Sequence, residues 1–143
     1  MKLSIFIDKN REEEIQIFAH EKTKLLEQIE SLITDYSSQI NGFKGKEIYP
    51  LKISDIYCFT VENNKVFAMT ESDKFLLKER LYNIENKLSH DFIKINKSCI
   101  ANFEKIERFD AAITGTLIVK FKNGYTDYVS RRSVKNVKER LGI

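Results

Sequence analysis

A chain of 143 residues has room for one ordinary domain, or one small domain with an N-terminal appendage, and too little for a multidomain enzyme. Apolar residues at 42% and charged residues at 31% give the balance of a chain that buries a core, and no window approaches the roughly 18 apolar residues of a membrane-spanning helix. The net charge of +3 conceals an asymmetry: residues 1–43 hold five Lys/Arg against eight Asp/Glu, or −3, and residues 44–143 hold nineteen against thirteen, or +6.

Met1 to Asp8 places an acid where a secretory leader would continue its apolar stretch, so a cytoplasmic chain is expected. Leu3, Ile5 and Ile7 alternate with polar or exposed-type positions, as do Ile15, Ile17 and Ala19, and period two predicts a small hairpin. A competing reading runs one helix over 12–36, because Ile15, Phe18, Leu25, Ile29, Leu32 and Tyr36 also fall at spacings of three and four. Two strands followed by a helix is preferred, since Thr23 stands just before a clean stripe of Leu25, Leu26, Ile29, Leu32 and Ile33. Residues 37–45, with two glycines, two serines and no period, read as a linker. The expected division is therefore a hairpin–helix appendage at 1–43 and a β domain at 44–143.

Beyond the linker the pattern is short strands. Residues 48–53 are broken by Pro50, which suits an edge because proline has no N–H for a ladder. Residues 56–61 and 66–70 flank Asn63-Asn64, a pair able to supply the positive φ of a tight hairpin. A turn at 71–73, a strand at 74–77 and a helix at about 79–88 follow. Strands at 92–95, 99–101, 105–109, 116–121 and 125–129 then lead to a helix over about 132–141 that stops at Gly142. The fold class is mainly β with short helices.

Catalytic groupings are missing from the sequence. His20 and His90 are too far apart to form a metal-binding pair on one helix, and Cys58 and Cys99 lie 41 residues apart without a CxxC, so both read as buried strand thiols. Residues 42–47 look superficially like a phosphate loop but lack its spacing and its Ser/Thr. Asp8 ends a strand-like segment as a phospho-acceptor might, yet about 43 residues cannot build a receiver fold. No metal, cofactor or small-molecule substrate is expected, and no enzymatic activity.

Three polar segments recur at turns: residues 62–65, 94–98 and 130–133. They hold Lys, Arg, Asn and Ser, the types that donate to phosphates and to base edges. Lys94 and Asn96 share a face if their strand is regular. Each segment alone reads as a solvated turn; three in one domain of charge +6 point to a polyanion.

In order along the chain, residues 92–102 (FIKINKSCIAN), Lys105-Ile106-Glu107, Asn123-Gly124 and residues 129–135 (VSRRSVK) resemble the LytTR DNA-binding domain of bacterial transcription regulators. Residues 53–57, Glu62 to Lys65 and the stretch from Leu81 to Leu88 match that family's opening strand, loop and short helix. The similarity spans about residues 46–141. It implies an elongated, mainly β fold whose loops enter successive major grooves, with DNA-facing sites at Asn64 and Lys65, at Lys97, and at Arg132. Lys94, Asn96, Ser98, Ser130, Arg131 and Lys135 then become candidates for phosphate contacts, and Asn102 a residue that ties a turn. Lys94, Asn96 and Lys97 depart from the family's more usual arginine, histidine and arginine, and a lysine cannot reproduce the arginine fork. Resemblance to the short members without a receiver suggests control by a partner, such as a membrane protein. The 1–43 unit either packs on its own domain or pairs two subunits, with a homodimer on a repeated DNA site preferred. The rival readings are a protein-interaction or ligand-binding β module and an RNA-binding β domain.

Overall fold

The computed structural model describes residues 1–12, 14–36 and 39–143, with the side chains at 34–36 outside the description. Thr23 opens the first helix, α1 (Lys24–Tyr36). Its carbonyl accepts from Glu27 N at 3.2 Å and its hydroxyl from Leu26 N at 3.4 Å, giving partners to amides that a first helical turn leaves free.

The hairpin expected before α1 does not form, and neither does the longer helix. No ladder joins the described residues of 1–22. Asp8 instead organises a turn, accepting from Asn10 N through its carboxylate at 3.0 Å and from Arg11 N through its carbonyl at 3.4 Å. Alternation alone does not hold two strands together, because an isolated two-stranded ribbon is marginal in water without a third strand or a helix to cover it.

The expected linker is also corrected. Ser37 and Ser38 lie outside the described residues, but β1 (Gln39–Lys44) pairs along its whole length with β2 (Glu47–Lys52) and crosses the expected boundary at 43/44. Its glycines serve the sheet. Gly45 takes φ +62° in the turn, and a Cβ on Gly42 would come within 2.6 Å of Leu51 Cδ1 and 2.7 Å of Phe75 Cβ. Gly42→Ala is therefore expected to cost about 1–3 kcal/mol, read as a lower midpoint in chemical denaturation.

The other strands follow the expected order: β3 (Cys58–Glu62), β4 (Lys65–Met69), β5 (Lys74–Leu77), β6 (Phe92–Asn96), β7 (Cys99–Asn102), β8 (Ile106–Ala111), β9 (Leu117–Phe121) and β10 (Thr126–Val129). α2 (Leu81–Glu85) is shorter than its periodicity suggested, and α3 (Arg131–Leu141) ends on Gly142 at φ +75°. A seven-stranded antiparallel sheet runs β2-β1-β5-β4-β3-β7-β6, and a three-stranded one β10-β9-β8. Pro50 sits on the edge strand β2, as its missing N–H requires.

Both faces of the central strands are covered, which is why residues 56–61 read as a nearly continuous apolar run. Cys58, Ile95, Cys99 and Ala101 face a core closed by Val119, Phe121 and Val129 of the small sheet and by Val137 of α3. Phe59, Val66, Ala68 and Ile100 face the opposite core, closed by Leu81 and Ile84 of α2. Cys58 and Cys99 are buried free thiols, as expected. Among the described residues no helix is long and apolar enough to cross a membrane.

Candidate nucleic-acid interface

Three turns lie at one end of the large sheet. β3 runs into its hairpin with β4 through Asn63 and Asn64, both at positive φ (50° and 61°), so the two-residue turn fits the strand twist and projects Asn64 and Lys65 into solvent. Val61 N donates to Ser98 O at 2.9 Å, which fastens that hairpin to the β6–β7 turn bearing Lys97 and Ser98. Ser130 N donates to Ile95 O at 2.8 Å, bringing the start of α3, with Arg131 and Arg132, beside the same turn. Lys65, Lys97, Ser98, Arg131, Arg132 and Lys135 are all exposed. Ser130 is half-buried, and its hydroxyl lies 3.1 Å from that of Ser133.

Two candidate residues depart from expectation. The register of β6 against β7 slips between Lys94 and Asn96, so the strand is not regular and the two side chains do not share a face. Lys94 is exposed and pairs with Glu85 of α2 at 3.8 Å. Asn96 is turned inward, 3% exposed. Its Nδ2 donates both protons, to Asp127 Oδ1 at 3.0 Å and to the Tyr128 carbonyl at 2.8 Å, while its Oδ1 accepts from Ser98 N at 2.8 Å. No donor remains for a phosphate, so Asn96 braces the turn beneath the surface.

Asp127 was not anticipated as the partner. It also accepts from Tyr128 N at 2.8 Å and from the Tyr125 hydroxyl at 3.0 Å. Alternation carried the signal: Tyr125, Asp127 and Val129 fall on one side of β10, and Val129 is fully buried, so an acid between them faces inward. Burial and then the Asp127 carboxylate push the Tyr125 phenol far above its ordinary 10.0. The Cys99 thiol is held protonated by its hydrogen bond with the Cys58 thiol and by burial. Both neutral forms are favoured in the fold, so their stabilisation is complete below the unfolded-chain values and is lost as pH rises beyond them. Melting temperature is expected to fall above about pH 9–10, and Tyr125→Phe to fall less steeply than the parent.

Asn102 ties a turn as expected, donating to Ile56 O at 2.9 Å and accepting from Glu104 N at 3.0 Å. Arg140 of α3 is committed elsewhere, 3.8 Å from Asp91 and over the Phe103 ring. Among the described residues no group of three or more His, Cys, Asp or Glu could hold a metal ion.

Comparison with known proteins matches residues 46–142 to the model of the LytTr DNA-binding domain. The chain belongs to the LytTR family. A protein of Staphylococcus aureus strain NCTC 8325 is 38% identical over 149 residues, covering 100% of this chain and 99% of its own, and one of bovine strain RF122 is 39% identical over the same extent. Both are described as uncharacterized HTH-type transcriptional regulators, and both matches run through the residues that precede the LytTR region. The LytTr DNA-binding domain of a Bacillus cereus protein superposes with a TM-score of 0.70 at 21% identity, over 74% of this chain and 98% of that one, which establishes the fold. A mostly β LytTR architecture is thus shown by sequence and by structure. Among the described residues no two α-helices are consecutive, so none forms a helix-turn-helix.

Proposed function

We propose that this LytTR protein is a cytoplasmic transcription regulator that reads duplex DNA sequence-specifically, with turns at one end of its large sheet set into successive major grooves. One observation carries the reading: Lys65 opens β4 after its hairpin turn, Lys97 lies in the β6–β7 turn and Arg131, Arg132 and Lys135 lie in the N-terminal part of α3, and none of the five has a carboxylate within 4.0 Å among the described residues. Some cations elsewhere are paired, Lys74 with Glu62 and Lys87 with Glu79 for example. Unpaired guanidinium and ammonium groups at a braced turn, a hairpin and the start of a helix keep their charge for phosphates and their donors for base edges. Arg132 is the base reader, since its fork can make two parallel hydrogen bonds to guanine O6 and N7. Lys97 reaches guanine or phosphate as a point charge. Asn64 and Lys65 approach the groove from the hairpin, and Ser98, Ser130, Arg131 and Lys135 fix register on the backbone. Lys94, drawn towards Glu85, lies nearer the margin.

Selection of bound fragments from a random duplex pool tests the reading, because it returns site, repeat and spacing together. Failure to retard any duplex at low salt would overturn it and favour a protein-interaction surface. If the five cations each neutralise a phosphate, the log–log salt slope is about −4 to −5. Lys135→Ala is expected to weaken cognate and random duplexes alike and to reduce that slope by about 1, measured by titration at several salt concentrations.

A further inference from the structure

A cavity of about 310 Å³ opens between β1, the end of β5 and α2. Its apolar lining comes from Ile40 and Phe43 of β1, Ile53 just after β2, Leu77 of β5, Ile84 of α2 and Leu88 beyond that helix. The ladder explains its place. Among the described residues β1 and β5 pair only at Phe43 and Leu76, although β1 reaches back to Gln39, and the space lies where pairing stops, beside Gln39, Asn41 and Lys78. Ile40, Ile53, Leu77, Ile84 and Leu88 all belong to the core closed by α2, so the cavity is on the side of the sheet away from α3 and the small sheet.

Close-packed interiors leave few voids larger than a water molecule. At about 30 Å³ per water in the liquid this space equals roughly ten water-sized groups, and it falls at the lower end of the range of ligand pockets, about 300–1,000 Å³. Apolar walls offer such water few hydrogen bonds, so an apolar body displaces it favourably.

Charge selects the head group. Glu79, which also lines the cavity, is held by Lys87, whose Nζ lies 2.9 Å from both of its carboxylate oxygens. Lys78 is exposed, has no carboxylate within 4.0 Å among the described residues, and places its Nζ 4.3 Å from the centroid of the Phe43 ring. Two ammonium groups and one carboxylate thus leave a single positive charge beside an apolar space. An ammonium resting on a ring face keeps donors free for an anion.

We infer that this cavity is a binding site for a small amphiphile with a carboxylate head, its chain of about eight carbons lying against Ile40, Leu77, Ile84 and Leu88 and its carboxylate on Lys78. Such a ligand matches the site in both parts: the chain replaces poorly bound water, and the head meets the one cation that the lining leaves unpaired among the described residues.

The inference does not rest on the DNA reading, and its test runs without DNA. Titration of the full, ¹⁵N-labelled chain with octanoate, followed by amide NMR, is expected to give saturable shifts centred on Ile40, Phe43, Leu77, Lys78, Ile84 and Leu88, with a Kd of roughly 0.1–1 mM for a ligand of this size. Octylammonium, with the same chain and the opposite charge, is expected to bind roughly tenfold more weakly or worse. Lys78→Gln keeps the fold, because the side chain is exposed, and is expected to weaken octanoate about fivefold while leaving octan-1-ol unchanged. Leu88→Phe takes up part of the space and is expected to weaken octanoate and octan-1-ol alike, about tenfold. Absence of a saturable shift, or octanoate affinity unchanged in Leu88→Phe, overturns the site. Octylammonium binding as tightly as octanoate, or octanoate affinity unchanged in Lys78→Gln, overturns the carboxylate assignment.

Discussion

Asn96→Ala is expected to lower stability by about 3 kcal/mol and the melting temperature by roughly 10 °C. The truncation strands the Tyr128 carbonyl and the Ser98 amide and removes one of the two donors to Asp127 Oδ1, all served by one amide in the parent. A buried polar group left without a partner costs about 1–3 kcal/mol, and more where the group is charged. Function should fall with it even at temperatures where the variant is folded. Asn96 joins the β6–β7 turn to the end of β10, and hence Lys97 to Arg132, so its loss frees two reading elements to move independently. Calorimetry gives the first effect and duplex titration well below the variant's melting temperature the second. A folded variant with parental affinity for its selected site would show that the brace serves stability alone. Asp127→Asn offers the complementary test. It keeps the shape but replaces a charged acceptor with an amide that cannot accept from Asn96, Tyr128 N and Tyr125 together, so a milder loss of the same kind is expected.

Arg132→Ala is expected to cost roughly 1–3 kcal/mol on the selected site and to flatten preference at one base position while leaving the rest of the motif intact. Arg132→Lys should recover the salt dependence without the base preference, because lysine restores the charge but not the planar fork. Equal losses on selected and random duplex would reassign Arg132 to the phosphate backbone. Neither substitution should move the melting temperature appreciably, since Arg132 is exposed on the first turn of α3 and has no ion-pair partner among the described residues. That contrast separates Arg132 from Asn96: one change removes the proposed reading group, the other a brace of the turn beside it.

Much of the architecture was legible because its determinants are local. Asn63 and Asn64 announce a tight turn by accepting positive φ, Gly142 announces the end of α3 for the same reason, and Pro50 announces an edge. The apolar run at 56–61 follows from strands covered on both faces. The failures are equally physical. Residues 39–44 lack strand-like composition, yet they pair because β2 and β5 supply partners, and Gly42 suits that site because Leu51 and Phe75 press against it. Residues 3–7 and 15–19 have strand-like alternation, yet they join no ladder among the described residues, because two short strands without a third strand or a covering helix are marginal.

Sequence by itself determined the LytTR identity, the order of strands and turns, and the residue types available to meet DNA, since motif, turn chemistry and alternation are each written within a few residues. Tertiary structure alone decided which of those residues face outward. The slip between Lys94 and Asn96 reverses the expected face of Asn96, and its partner Asp127 lies 31 residues further along the chain. Bringing Lys65, Lys97 and Arg132 to one end of the sheet likewise depends on backbone hydrogen bonds from Val61 to Ser98 and from Ser130 to Ile95. Such bonds form only when distant strands dock, and no local preference encodes them.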